Sequence, residues 1–159
     1  MEKGGIFDND IRTNVYAFIL KNPGLHMSAL SRKMSIPKST LNYHLNCLIK
    51  DGYIAQMPDG IYIRYYIRNT IGERDKKLIS IIRQNIPYRI LLLLFLDPDA
   101  TQIQLSKYLD RHPTTISFHI DKLIELGIIE GIVCGNHIHY HLKNPEQVSD
   151  LVCKYIGLF

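Results

Sequence analysis

Residues 39–54 read STLNYHLNCLIKDGYI, and residues 114–129 read TTISFHIDKLIELGII. Each stretch opens on hydroxyl residues and continues with Leu and Ile at helical spacing. Each then closes on a glycine before a β-prone pair. A shift of the chain by 75 positions lays His44 on His119, Leu48 on Leu123, Gly52 on Gly127 and Ile54 on Ile129. The same shift, without a gap, lays Pro23 on Pro98, Leu30 on Leu105, Ser31 on Ser106, Gly60 on Gly135 and Tyr65 on Tyr140. A constant offset over that length indicates the duplication of one structural unit. Two copies are too few for a solenoid, so each is expected to be a small domain.

Working outward from the quoted stretch, the first copy parses into three helices and a hairpin. Ile11, Val15, Phe18 and Ile19 recur at i, i+3/i+4 and give a first helix, stopped by Asn22-Pro23-Gly24. Ser28 to Met34 gives a short second helix, with Leu30 and Met34 facing in. After a turn at Ser35-Ile36-Pro37, a third helix opens at Pro37 or Lys38. Leu41, Leu45, Leu48 and Ile49 form its apolar stripe, and Gly52 ends it. A hairpin follows: Tyr53 to Met57, a turn at Pro58-Asp59-Gly60, then Ile61 to Ile67. The second copy repeats this order, with Pro87 opening its first helix and Cys134-Gly135-Asn136 as its hairpin turn. Helix, helix, turn, helix, hairpin is the order of a winged helix-turn-helix, in which the third helix usually reads a groove. The expected fold class is mainly α with small β-hairpin wings (α+β): two tandem winged helix-turn-helix domains joined by a helical linker.

The quoted stretches resemble the core of ArsR- and MarR-like winged-helix transcription regulators. The shared pattern is Ser/Thr-x-x-x-x-His-Leu/Ile-x-x-Leu-x-x-x-Gly-x-Ile followed by a wing, and the doubled arrangement looks like archaeal regulators with two such domains. The resemblance implies sequence-dependent binding of double-stranded DNA and transcriptional control. It departs from the metal-sensing branch, because Cys47 stands alone in the third helix. Winged helices also serve as protein-interaction modules, and fold alone does not decide between the two uses.

Helical spacing sets Ser39, Asn42, Tyr43, Asn46 and Lys50 opposite the apolar stripe, with Lys38 and Thr40 at the helix start. Asn pairs with adenine, Ser and Tyr donate to phosphates or base edges, and Lys neutralises phosphate. In isolation such a face is an ordinary solvated one; inside a winged-helix frame it is the candidate DNA-reading face. The corresponding set in the second copy is Thr114, Thr115, Ser117, Phe118, Asp121 and Glu125, so Asn46 has become Asp121 and Lys50 has become Glu125. Residues 1–86 hold 13 Lys and Arg against 7 Asp and Glu, a net +6, and residues 87–159 hold 6 against 8, a net −2. Non-specific affinity follows the number of phosphates neutralised. The first copy is therefore expected to be the main reader, and the second to read weakly, bind a protein partner or mediate pairing.

In the first wing, alternation predicts that Ile63, Tyr65 and Ile67 pack inward. Tyr62, Arg64 and Tyr66 then face outward, with Arg68 following, so Arg64 and Arg68 join the candidate DNA contacts. The second wing places His137, His139 and His141 on one strand face. With Cys134 as a fourth ligand this is the one set whose spacing would admit a metal, but a polar outer strand face is the favoured reading, and neither metal nor cofactor is assigned. His44 and His119, at the edge of each core stripe, read as packed, hydrogen-bonded histidines.

The remaining features bound the class. Hydrophobic residues make up 46% of the 159 and charged residues 21%, which suits a folded protein. No apolar run approaches the roughly 20 residues of a membrane span, and MEKGGIFDND lacks the apolar core of a signal peptide. Three scattered cysteines, Cys47, Cys134 and Cys153, form no CxxC and suit a reducing cytoplasm. No phosphate-binding glycine loop, HExxH or GxSxG occurs, so no enzymatic role is expected. The expected boundaries are residues 1–70 for the first domain, 71–86 for the helical linker and 87–143 for the second domain. Residues 144–159 form a final amphipathic helix carrying Val148, Leu151, Val152, Tyr155, Ile156 and Phe159. A homodimer is allowed. The leading function is a sequence-specific DNA-binding transcription regulator read through the first recognition helix and wing. The alternative is an adaptor of the transcription machinery that uses the same folds without reading sequence.

Overall fold

The structure is a computed structural model that describes residues 9–156; Phe159 and the N-terminal stretch through Asp8 lie outside the described residues. The chain divides into two compact units, Met1–Ser80 and Ile81–Phe159.

The first unit begins with α1 (Asp10–Lys21). The Asn9 side chain caps it by accepting from the Arg12 amide at 2.9 Å, and Asp10 sits in the first turn, where the helix dipole favours a negative charge. Val15 and Ile19 are its buried residues. The chain leaves it through Gly24, whose φ of +79° lies in the left-handed region. A methyl group there would meet the Ile79 side chain at 2.6 Å, so this corner requires glycine on two counts. Next come α2 (Met27–Met34) and α3 (Lys38–Lys50). The His26 imidazole caps α2 by accepting from the Ala29 amide, and Ser35 ends it in the left-handed conformation at φ +54°. Four residues of α3 are buried, Leu41, His44, Leu45 and Leu48, and the three leucines meet Val15, Ile19 and Leu30 in one core. Each fully buried Leu or Ile is worth on the order of 2 kcal/mol.

The wing is an antiparallel pair, β1 (Ile54–Asp59) and β2 (Tyr62–Ile67), in the register Ile54↔Ile67 through Asp59↔Tyr62. The turn is therefore the two residues Gly60 and Ile61, not Pro58-Asp59-Gly60. Gly60 supplies the positive φ, +59°, that a two-residue hairpin loop needs. Pro58 is accommodated inside β1 because an edge strand can leave a donor out.

The second unit repeats the plan. It comprises α5 (Asn85–Leu96), α6 (Gln102–Leu109), α7 (Pro113–Glu125), β3 (Ile129–Cys134), β4 (His137–Leu142) and α8 (Pro145–Tyr155). Thr101 and Gln104 form a reciprocal capping box at the start of α6. The wing again turns on two residues, Gly135 (φ +61°) and Asn136. Ile90, Leu94, Leu105, Ile116, Ile120 and Leu123 centre its core.

Between the two repeats, the helix of the linker expected over 71–86 is shorter. α4 spans Glu73–Ile82, and α5 begins at Asn85, ahead of Pro87. Pro87 has no amide hydrogen and would clash with the carbonyl four residues back, so one helix cannot run through it. Within the first turn of α5 those losses vanish, because amides there have no intrahelical partner. The Tyr66 hydroxyl donates to the Lys76 carbonyl at 3.1 Å, which ties the start of α4 to the first wing.

Candidate nucleic-acid interface

Helix α3 presents its polar side to solvent. Lys38, Ser39, Asn42, Tyr43, Asn46 and Lys50 are exposed, and Thr40 is half-buried. Tyr43 keeps 61% of its surface accessible. The apolar residues of the same helix are in the core, so burial alone fixes the face that is left over. Arg68 is exposed at the end of β2. Its amide donates to the Tyr53 carbonyl at 3.0 Å, which places it beside the C-terminal end of α3.

Arg64 corrects the sequence reading. It is 2% exposed, not outward-facing. Its Nε donates to Asp59 across the hairpin, and its Nη1 donates to the Gly24 carbonyl at 2.8 Å. The strand face expected to be open is covered. The segment Gly24–His26 pairs with the free edge of β2, through Gly24 N to Tyr65 O at 2.9 Å and Tyr65 N to Leu25 O at 3.2 Å. Tyr66 is fully buried, whereas Ile63, expected inside, is 45% exposed near the tip. Arg64 is thus an internal tether of the wing, its guanidinium committed to Asp59 and the Gly24 carbonyl.

Other cations were missed in the sequence. Arg32 and Lys33 lie in the last turn of α2, Arg32 and Lys33 both exposed. His26 lies in the field of Arg32. Its pKa lies below the ordinary imidazole value, first because burial disfavours the charged ring, then because Arg64, Arg32 and Lys38 repel a further positive charge. The His26 ring also stacks on Tyr62, with centroids 4.3 Å apart and planes 17° apart, which joins the start of α2 to the wing. The adjacent pair Arg32-Lys33 was the available signal; the stacked pair had none, since its members lie 36 residues apart.

In the second unit, Thr114 is exposed, and Thr115 and Ser117 are half-buried. The hydroxyl of Thr114 lies 3.1 Å from the His112 ring. Phe118 is 66% exposed, and Asp121 and Glu125 are exposed beside it. The wing adds exposed Ile132, Val133 and Ile138. The three wing histidines do not act together. His139 Nδ1 donates to the Asp99 carbonyl at 2.6 Å, His141 Nε2 lies 3.4 Å from an Asp99 carboxylate oxygen, and His137 is exposed. Among the described residues no group of three or more His, Cys, Asp or Glu is gathered for a metal.

His44 and His119 are packed as expected, each edge-on to the preceding aromatic, Tyr43 at 5.2 Å and Phe118 at 5.3 Å. The expected hydrogen bonding differs: each Nδ1 is buried without a partner among the described residues. Burial is the leading cause that holds both imidazoles below their ordinary pKa, joined by Arg12 at His44 and by Lys122 at His119.

Two units of this order, each with a third helix that buries one face and exposes a polar one, define a tandem winged helix-turn-helix protein. Comparison with known protein families agrees. Residues 9–79 match a family described as an N-terminal HTH domain, and residues 83–130 match one described as winged helix-turn-helix DNA-binding. The chain is 31% identical over 135 residues to an uncharacterized HTH-type transcriptional regulator of the archaeon Methanocaldococcus jannaschii. That alignment covers 85% of this chain and 34% of the relative, so the chain spans about a third of the relative's length. Among solved structures, Streptococcus pneumoniae FabT in complex with DNA aligns at 16% identity and a TM-score of 0.37, over 76% of this chain and 82% of FabT. ScpB of Mycobacterium tuberculosis aligns at 14% identity and a TM-score of 0.33, over 94% of this chain and 96% of ScpB. No single helix among the described residues is long and apolar enough to cross a membrane.

Proposed function

We propose that this chain is a DNA-binding transcription regulator of the cytoplasm that reads double-stranded DNA by sequence, mainly through α3 and the base of the first wing. The observation that carries the reading is the exposed side of α3. Its polar residues run between two lysines, and Arg68 flanks the helix end. Phosphate neutralisation supplies affinity, and base-edge contacts from the middle of the helix supply discrimination. The relative named as a transcriptional regulator and the match to a DNA-binding winged-helix family support the same reading. In this scheme residues 1–70 form the reading domain, 71–86 the connection, 87–143 the second domain and 144–159 the closing helix.

The second domain favours a different task. Phe118, Asp121 and Glu125 on α7, with the apolar wing residues Ile132, Val133 and Ile138, suit a protein surface better than a phosphate backbone. A partner protein or a second copy of the chain is the occupant that fits. The test is binding of the intact chain to genomic fragments against random DNA across a salt series. A preference for particular fragments with a steep salt slope is expected. Weak, sequence-blind binding would instead assign the whole chain to the adaptor role.

A further inference from the structure

We infer that the first recognition helix specifies adenine at two positions, through Asn42 and Asn46; this rests on the DNA-reading function proposed above. Lys38, Asn42, Asn46 and Lys50 follow one another at four-residue spacing, so they form a single row along the exposed side of α3. All four are exposed. Neither asparagine side chain has a hydrogen-bond partner among the described residues, so both carboxamides are free to pair outward. A carboxamide offers one acceptor and two donors side by side. Adenine presents the complement in the major groove, an N6 amino donor beside the N7 acceptor, and this pairing distinguishes A·T from the other base pairs.

The flanking charges decide what else the row can read. Guanine is usually read by Arg or Lys, and the row has lysines at its two ends, about 18 Å apart along the axis. At that separation they reach phosphates on either side of the groove, and the base edges are left to the asparagines. Asn42 and Asn46 are about 6 Å apart along the helix, against about 3.4 Å per base-pair step. Two A·T pairs separated by one intervening pair match that distance. The equivalent row in the second unit is Pro113, Ser117, Asp121 and Glu125. It has no carboxamide and no lysine, so the adenine preference belongs to the first unit, and the preferred site carries it once per chain.

The test is selection of sites by the full chain from randomised duplexes, followed by replacement of each selected adenine with 7-deazaadenine, which removes the N7 acceptor. The expected result is a site with two A·T pairs one pair apart. Each replacement should weaken binding by roughly 5- to 150-fold. Asn42→Ala should abolish sensitivity at one of the two positions and Asn46→Ala at the other. Both residues are exposed and Ala favours helix, so the variants fold. A clear sequence preference that is indifferent to 7-deazaadenine, or unchanged in both variants, would overturn the adenine assignment and leave the regulator reading intact. Binding without any sequence preference would overturn both.

Discussion

Arg64 and His139 stand 75 residues apart at the same place in the two wings, and each reaches back to the loop after its unit's first helix. Arg64 donates to the Gly24 carbonyl at 2.8 Å, and His139 donates to the Asp99 carbonyl at 2.6 Å. The scaffold thus retains the tether while its chemistry changes. In the first wing the tether is a permanent cation, buried and paired with Asp59. In the second it is a ring with one donor committed to the carbonyl.

Loss of Arg64 should therefore cost stability before it costs recognition. In Arg64→Ala, the Asp59 carboxylate and the Gly24 carbonyl both lose a buried donor. A decrease of about 3–5 kcal/mol is expected, as for other buried pairs that lose one partner. Arg64→Lys should recover little, because a single ammonium cannot reproduce the fork that serves both acceptors. Urea denaturation of the full chain measures this. A change under about 0.5 kcal/mol, the size usual for surface substitutions, would remove the tether from the account.

Gly24 predicts a second sensitive point. Gly24→Ala places a methyl group within 2.6 Å of the Ile79 side chain at a backbone φ of +79°. Backbone strain and overpacking together should destabilise the first unit by about 2–4 kcal/mol. Gly60→Ala meets nothing within 4 Å and carries the conformational part alone, so it should be the milder change. Thermal melts of the two variants side by side give the ranking, and equal losses would contradict it.

Acid should weaken the fold. His26, His44 and His119 all have pKa values lowered from 6.5 in the folded chain, chiefly by burial. Just below pH 6.5 the unfolded chain binds more protons at these sites than the folded one does. Stability is therefore complete above that pH and falls as the pH drops below it. His44→Leu removes one of the three and a buried nitrogen that has no partner among the described residues. Denaturation midpoints between about pH 8 and pH 5 should show a shallower acid decline in that variant. An unchanged decline would mean that His44 does not titrate with unfolding.

Charge reversal separates the two units in DNA binding. Lys38→Glu with Lys50→Glu should lower affinity and reduce the slope of log K against log salt by about 2, one for each phosphate no longer neutralised. Asp121→Ala with Glu125→Ala should leave both quantities nearly as they were. Titration at several salt concentrations tests each pair. A full effect from the second pair and none from the first would reverse the roles given to α3 and α7.

The repeat made most of the fold legible. Matching prolines, glycines and core leucines at one offset gave the element order, and the apolar stripe of α3 gave its exposed side by elimination. Alternation failed on β2 because it assumes one wet face, and here that face meets Gly24 through Arg64 and α4 through Tyr66. No local pattern announces such cover, since it comes from residues about 40 positions away in one case. The first hairpin turn falls later than the sequence suggests because Pro58 reads as a turn former, although an edge strand tolerates it. The pairing of Arg64 with Asp59 was within reach, because the two residues flank one short hairpin. The tie between His139 and Asp99, 40 residues apart, was not.

On the DNA-reading function proposed above, the difference between the exposed rows of α3 and α7 sets how much information the chain can extract from a genome. One helix that fixes a few base pairs specifies an address met by chance about once in every few hundred base pairs, among the roughly 10⁶ or more competing sites a genome offers. A duplication that kept both rows would have doubled the length of that address. Here the scaffold recurs and the two rows differ, so on that proposal the extra digits would come from elsewhere: another copy of the chain on a neighbouring half-site, or a protein held by the second unit.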